Sequence, residues 1–235
     1  AAHHPNARTT LPAPKYEYAA DKETAGLKIA LVKELYDAAD DDVKAVLDKY
    51  TAKLQSAGSV VEEISVPDVK ACAVAWQIML PAETCNNISR YDGVKFGYRT
   101  PSYKDIDELY VNSRTEGMGF AAKMNVLYGS FVLSKNQYMK RYDKSLRIRR
   151  VASDKMKEIF AAFDAVLCPA MSALSLGEYD LAETFERTEK ELLFTTVPSL
   201  TGIPALVTGG VQLWGPAFGE STLLSIASAT ERMAD

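Results

Sequence analysis

The sequence predicts an α/β fold, and three patterns support that prediction. Two short apolar runs flank an amphipathic helical period between residues 27 and 66, which is the pattern of a β-α-β unit. Helical periods then fill the middle third of the chain. Strand-like runs return between residues 164 and 213, ahead of a final helical period. With 47% hydrophobic residues among 235, the chain can bury the core of one large domain or two small ones.

Residues 1–25 are expected to form an extended lead-in or linker, because they contain Pro5, Pro12 and Pro14 and no apolar period. The sequence has neither the apolar core of a signal peptide nor the roughly 20 apolar residues of a membrane span. Three cysteines without metal-ligand spacing favour reduced thiols, so we expect a cytoplasmic protein with no membrane partner. A net charge of −4 predicts no general attraction to nucleic acid.

The apolar run at residues 27–32 predicts a buried strand. Asp40 or Asp41 can cap the helix that follows, and Gly58 marks its end. The apolar residues of this helix recur at spacings of three and four: Val43, Val46, Leu47, Tyr50 and Leu54. Residues 60–66 predict a second strand, and two strands joined by one helix are expected to pair in parallel.

The remaining elements are predicted in the second half of the chain. The longest helix is predicted from Lys135 to Phe163. Its buried stripe comprises Ile148, Ala152, Met156, Ile159 and Phe163. Residues 164–169 predict a short strand that Pro169 stops. Two strands are predicted on either side of the turn-prone pair Gly209-Gly210, and residues 218–233 predict a closing helix.

The residue inventory argues against most catalytic sites and against a cofactor. The two histidines, His3 and His4, lie in the predicted lead-in, so a Ser-His or Cys-His pair is not expected. Cys168 is interpreted as a buried structural thiol. No cluster has metal-ligand spacing, and no strand–GxGxxG–helix pattern occurs, so neither metal nor cofactor is predicted. The basic residues between 135 and 157 are interpreted as a solvated helix face.

Four segments carry a family resemblance, in the same order along the chain. They are residues 90–99 (Arg-Tyr-Asp-Gly-Val-Lys-Phe-Gly-Tyr-Arg), 113–119 (Ser-Arg-Thr-Glu-Gly-Met-Gly), 129–134 (Gly-Ser-Phe-Val-Leu-Ser) and 199–205 (Ser-Leu-Thr-Gly-Ile-Pro-Ala). These segments resemble those of amidase-signature proteins, in particular the A subunits of glutamyl-tRNA(Gln) and aspartyl-tRNA(Asn) amidotransferases. The resemblance implies that residues 26–235 are the C-terminal part of an amidase-signature domain, a mixed β-sheet covered by helices.

The same resemblance implies a chemistry that this chain does not hold. In that family a Ser–cis-Ser–Lys triad in the N-terminal half hydrolyses glutamine and supplies ammonia for converting Glu-tRNA(Gln) to Gln-tRNA(Gln). Its Gly/Ser-rich tract does not occur here, so no catalytic residue is assigned, and the chain alone is expected to be inactive. The implied partners are the B and C subunits, the missing N-terminal half in cis or in trans and, indirectly, tRNA.

Three substrate-pocket positions are implied by the resemblance, and each carries an unexpected residue type. Trp76 falls where the family has a pocket tyrosine. Asn125 falls in Lys-Met-Asn at residues 123–125, where a Lys-Arg-Arg run would supply an arginine for the substrate carboxylate. Glu191 lies one place from Leu192, the position at which an aspartate for the substrate amine is expected.

Two alternatives stay open. The altered pocket favours a non-catalytic structural subunit or pseudo-enzyme of the same fold. It also suits a hydrolase of a small neutral amide, for which Asn125 and Leu192 would form a less charged pocket. Because half of a shared sheet leaves an unpaired edge or an exposed apolar face, we further expect the isolated chain to form oligomers or to be poorly soluble.

Overall fold

The computed structural model describes residues 18–21, 23–66, 68–174 and 181–232, and it confirms the α/β prediction. Two compact units divide the chain. Unit 1 comprises Ala1–Pro67 and Lys155–Asp235, and unit 2 comprises Asp68–Asp154. Most of the predicted lead-in, including His3 and His4, lies outside the described residues.

Unit 1 contains a five-stranded mixed sheet. Its strands are β1 (Lys28–Val32), β2 (Val60–Ile64), β3 (Ala165–Pro169), β4 (Ala205–Thr208) and β5 (Val211–Trp214). The strand order is β2-β1-β3-β5-β4. As predicted, β1 and β2 are parallel; β3 is also parallel to β1, whereas β5 is antiparallel to β3 and β4. β3 lies in the middle of the sheet, and all five of its residues are buried. Its short apolar sequence is typical of such a strand.

The described residues form eight helices. They are α1 (Lys33–Ala38), α2 (Asp41–Ser56), α3 (Val69–Ile88), α4 (Ile106–Gly117), α5 (Phe120–Leu133), α6 (Tyr142–Ala162), α7 (Leu181–Thr201) and α8 (Glu220–Arg232). None of them is long and apolar enough to cross a membrane. The β4–β5 hairpin is closed by Gly209 and Gly210, with φ of 56° and 85°. Positive φ at both central residues is what a tight two-residue hairpin requires, so this prediction is confirmed.

The main core of unit 1 lies between the sheet and two helices. Leu47 and Leu54 of α2 and Leu223 and Ile226 of α8 are buried in one cluster with residues of the sheet. These sheet residues are Ile29, Ala165, Leu167, Val211 and Leu213. Within each strand they alternate in sequence, so they point to the same face. α2 and α8 therefore cover that face together, and the apolar spacing of residues 43–54 predicted the amphipathic helix α2.

The predicted start of the longest helix needs correction. The long helix begins at Tyr142 and not at Lys135, because residues 135–141 form turns after α5 ends at the extended residue Ser134. The predicted stripe is buried only in part: Ala152, Met156 and Ile159 are buried, whereas its two ends are half-buried. Asp40 does occupy the N-cap of α2, but its side chain makes no capping hydrogen bond. That carboxylate instead pairs with Lys190 at 2.8 Å.

A carboxylate ties the end of β2 to α1 in unit 1. Glu34 accepts hydrogen bonds from the Ser65 hydroxyl and, at 2.8 Å, from the Val66 N–H. Partial burial raises the pKa of the Glu34 carboxyl, but these hydrogen bonds favour the charged form and lower the pKa overall. The Glu34 carboxylate therefore stabilises this junction when it is ionised.

Candidate functional site

The loop that follows α3 in unit 2 is organised by Asp92 and Gly93. The Asp92 carboxylate accepts hydrogen bonds from the backbone N–H groups of Val94 at 2.8 Å and Lys95 at 3.2 Å. The Val94 hydrogen bond is the main cause of a lowered Asp92 pKa. Gly93 has a φ of 78°, and its N–H donates to Phe96 O at 3.1 Å. The Asp-Gly pair of the segment at residues 90–99 thus forms a tight turn.

α4 packs directly against this turn. A Cβ atom on Gly93 would lie 2.5 Å from Ser113 Oγ and 3.0 Å from Tyr98 O, so no larger residue fits there. Ser113 Oγ accepts a hydrogen bond from the Thr100 N–H at 3.0 Å, and both residues are buried. Two of the four sequence segments, residues 90–99 and 113–119, therefore fold into one substructure.

Glu116 completes that substructure from α4. It accepts a hydrogen bond from the Tyr98 hydroxyl at 2.7 Å and another from Thr100 Oγ1 at 3.1 Å. The hydrogen bond from Tyr98 to the carboxylate raises the pKa of Tyr98. Gly117 lets the Tyr98 ring lie against the helix, since a Cβ there would be 2.9 Å from Tyr98 Cβ.

Beside this substructure unit 2 has a cleft of about 250 Å³. Its walls include Ile88, Tyr91, Tyr98, Met118 and Ala122. The lining is mainly apolar and aromatic, and its polar side chains are the hydroxyls of tyrosines and of Ser113. The described residues that line it include no lysine or histidine that could serve as a base for a nucleophile. The cleft can therefore contribute binding surface, but it contains no catalytic pair.

Two of the three predicted pocket residues lie on the helix pair α3 and α5 of unit 2. Trp76 is on α3 and Asn125 is on α5, and both are half-buried. The two helices approach closely at Gly129, where a Cβ would lie 2.1 Å from Pro81 O. The neutral amide of Asn125 can hydrogen-bond to a carboxylate, but it cannot form the charged bidentate pair of an arginine.

Glu191, the third predicted pocket residue, lies on α7 in unit 1 and is already engaged. Both of its carboxylate oxygens accept hydrogen bonds from Ser172: one from the N–H at 3.1 Å and one from the hydroxyl. Ser172 is buried, and its carbonyl accepts from the Asp40 N–H at 2.8 Å. The carboxylate thus holds the segment after β3 beside the start of α2. Each Glu191 oxygen therefore already accepts at least one hydrogen bond from Ser172.

Cys168 is the buried thiol that the sequence predicted. It is fully buried in β3, and burial raises its pKa far above the ordinary thiol value. The neutral thiol is a poor nucleophile. In the described part of the chain, no group of three or more histidine, cysteine and acidic residues could hold a metal ion.

Sequence reasoning missed two interactions that shape these regions. One is the Ser172–Glu191 pair, whose partners are 19 residues apart in a segment without periodicity. The other is the contact of Gly129 with Pro81 O. A glycine inside an otherwise apolar helix was the available signal for the second, since it allows another backbone to approach.

The chain is similar to known proteins over nearly its whole length. The family model described as Amidase matches residues 1–224. The A subunit of glutamyl-tRNA(Gln) amidotransferase from Streptococcus mutans serotype c is 34% identical over 227 residues, which are 91% of this chain and 46% of that protein. The matched part is the C-terminal half.

Solved structures show the same fold. The A subunit of glutamyl-tRNA(Gln) amidotransferase from Thermotoga maritima has a TM-score of 0.68 and is 22% identical, covering 98% of this chain and 48% of that one. The structure of 6-aminohexanoate cyclic dimer hydrolase has a TM-score of 0.69 and is 17% identical, covering 98% of this chain and 50% of that one. The chain therefore spans about half the length of the proteins that it matches.

Proposed function

This chain belongs to the amidase family, and from that premise we propose that it is the C-terminal portion of the A subunit of a glutamine-dependent tRNA amidotransferase. In the complete protein this subunit hydrolyses glutamine and supplies ammonia for the conversion of Glu-tRNA(Gln) to Gln-tRNA(Gln). The observation that carries the proposal is the 34% identity to such a subunit over 91% of the chain.

In this proposal the catalytic residues lie in the N-terminal half of the complete protein and not in this chain. The N-terminal half contributes the Ser–cis-Ser–Lys triad, in cis or in trans, and this chain contributes the pocket positions Trp76, Asn125 and Glu191. The chain alone is therefore inactive. B and C subunits complete the assembly, tRNA is bound through them, and the assembly works in the cytoplasm without a cofactor in this subunit.

A second candidate function is the hydrolysis of a small neutral amide, and two observations favour it. Asn125 has no charge with which to bind the carboxylate of glutamine. Glu191, the acid nearest to the expected amine-binding position, has both oxygens engaged by Ser172. A neutral amide has neither a carboxylate nor an ammonium group, so it needs no charged partner at Asn125 or at Glu191.

Ammonia release by the complete protein from its native cells separates the two functions. If the protein belongs to an amidotransferase, we expect kcat/KM for glutamine to exceed that for propionamide by at least about a hundredfold, because glutamine has a carboxylate and an ammonium group for the pocket to recognise and propionamide has neither. If it is a neutral amidase, the order is reversed. Release from neither substrate, by protein that retains the triad half, would identify the pseudo-enzyme.

The Asn125→Arg variant tests the pocket assignment. An arginine at this position restores a charged hydrogen-bond donor for the glutamine carboxylate, so we expect kcat/KM for glutamine to rise by about tenfold relative to propionamide. Asn112→Arg is the matched control, because it adds the same charge on α4, also at a half-buried position. An equal effect of both variants would remove Asn125 from the pocket.

A further inference from the structure

α5 is apolar on two opposite faces. Its 14 residues include one charged side chain, that of Lys123. Residues 122, 125, 126, 129, 132 and 133 are buried or half-buried, and residues 120, 124, 127, 128 and 131 are exposed. At roughly 100° per residue, each set covers about one third of the helix surface, and the two sets lie on opposite sides. A helix that is apolar all round is normally buried all round.

The inner face of α5 packs on α3. Gly129 brings the two backbones together beside Pro81, and Val132 is fully buried. Cys85 Sγ of α3 lies 3.1 Å from Ser130 Oγ at the margin of this contact. The inner face of α5 thus packs against α3 at Gly129 within unit 2.

The outer face of α5 carries large apolar side chains that stay largely exposed among the described residues of unit 2, although the Arg141 guanidinium lies 5.3 Å from the centroid of the Phe131 ring. Phe120 is 67% exposed, Leu127 66%, Met124 47% and Phe131 45%. Tyr128 stacks on Phe131 with ring centroids 6.3 Å apart, so the two rings form one continuous surface. Contiguous exposed apolar patches of this kind mark interaction sites.

The chemistry of the outer face points to a protein partner. At 1.5 Å per residue, α5 is about 21 Å long, short of the roughly 30 Å hydrocarbon layer. A helix that lies on a membrane surface needs a cationic polar face opposite its apolar one. In α5 the opposite face is occupied by α3, and Lys123 donates its ammonium hydrogen bond to Thr115 O at 2.8 Å.

We propose that the outer face of α5, residues 120, 124, 127, 128 and 131, is the docking surface for the N-terminal half of an amidase-family chain, in cis or in trans. This inference rests on the proposed function. The lengths of the relatives indicate which segment docks here. This chain covers 46% of the Streptococcus mutans protein and 48% of the Thermotoga maritima chain, so each relative has a second half that this chain does not match. Docking that half converts α5 into a core helix. A second copy of this chain would not supply the unmatched half.

A photo-cross-linker at position 127 identifies the occupant. The protein is produced in its native cells with p-benzoylphenylalanine replacing Leu127, irradiated, digested and analysed by mass spectrometry. We expect the cross-linked peptide to match the N-terminal half of the Amidase family, within the same polypeptide or in another one. The same probe at Val111, which is 63% exposed on α4, is the control. The proposal would be overturned if the cross-linked peptide came from a second copy of this chain or from an unrelated protein. It would also be overturned if no cross-link formed, or if positions 127 and 111 gave equal yields.

Oxidation of methionine provides a readout without any substitution. Met124 lies on the outer face, and Met139, 60% exposed in the turns after α5, is its matched control. In native protein treated with hydrogen peroxide, we expect Met124 to be oxidised at least about tenfold more slowly than Met139, because docking covers its sulfur. Equal rates would refute docking at this face. Docking with no glutamine turnover would instead refute the proposed amidotransferase function alone.

Discussion

Replacing Gly129 with alanine tests how closely α3 and α5 pack. The added Cβ would lie 2.1 Å from Pro81 O, 2.7 Å from Pro81 C and 2.6 Å from Cys85 Cβ, where 3.4–4 Å is an ordinary contact. The Pro81 carbonyl is backbone and cannot rotate away, so the two helices must move apart by about 1 Å.

The expected loss of stability is about 2 kcal/mol. Overpacking a dense contact costs about 1–3 kcal/mol, and a clash with backbone belongs at the upper end of that range. The higher helix propensity of alanine returns about 1 kcal/mol. With a urea m-value of about 2 kcal/mol/M, the unfolding midpoint of unit 2 should fall by about 1 M.

Urea unfolding combined with native-state hydrogen exchange of the α3 and α5 amides measures this effect within unit 2. Gly119→Ala is the control, because no atom lies within 4 Å of its Cβ position at the N-cap of α5. We expect that control to lose less than about 1 kcal/mol. A Gly129→Ala protein as stable as the wild type, or more stable, would refute the close approach of the two helices.

Three further predictions concern other parts of the chain. The pKa of Glu34 is lowered from its ordinary 4.5, so the ionised carboxylate stabilises the fold fully above that pH, and this stability is lost as the pH falls through the lower pKa of the folded state. Urea midpoints measured against pH should show this loss. In the Glu34→Gln variant this pH dependence should be absent. Iodoacetamide at pH 8 should label half-buried Cys85 at least about tenfold faster than the buried thiols Cys72 and Cys168, because burial raises the pKa of both and brings that of Cys72 to about 11. Equal labelling rates by mass spectrometry would contradict the burial of Cys72 and Cys168. Gly93→Ala would place a residue with a Cβ at positive φ and bring that Cβ within 2.5 Å of the buried Ser113 hydroxyl. It should therefore destabilise unit 2 by about 2–4 kcal/mol in the same urea assay. An unchanged midpoint would argue against this turn.

The sequence predicted the parts of the fold that depend on local pattern. The apolar runs before and after α2, the spacing of its buried residues and the Gly209-Gly210 turn each correspond to one element, because side-chain periodicity and glycine geometry act locally. The predicted start of α6 was wrong. Residues 135–141 contain good helix formers, but they follow a break at Ser134 and lack an apolar stripe that could dock them as a helix.

The assignment of Trp76 and Asn125 to a substrate pocket stays a prediction. Trp76 and Asn125 were assigned by resemblance, and they lie on a pair of helices that pack together. The engagement of Glu191 by Ser172 could not be foreseen, because two residues 19 apart share no local pattern and meet only through tertiary structure. Likewise, the exposure of Leu127 is decided by tertiary packing, since its apolar character alone predicts a buried residue.

The insertion of unit 2 between β2 and β3 has a consequence for how the chain folds during synthesis. β1 pairs with β3, and the hydrogen bonds at the start of this pairing join Lys28 and Asp164, which are 136 residues apart. At about 5–20 residues per second, the ribosome needs roughly 7–27 s to deliver the second strand after the first. During that time β1 has only β2 as a neighbour, whereas unit 2 is contiguous and can fold as soon as it emerges. We therefore expect nascent chains stalled when the first 160 residues have left the ribosome to contain a protease-resistant unit 2 and a protease-sensitive, chaperone-bound β1–α2–β2 segment.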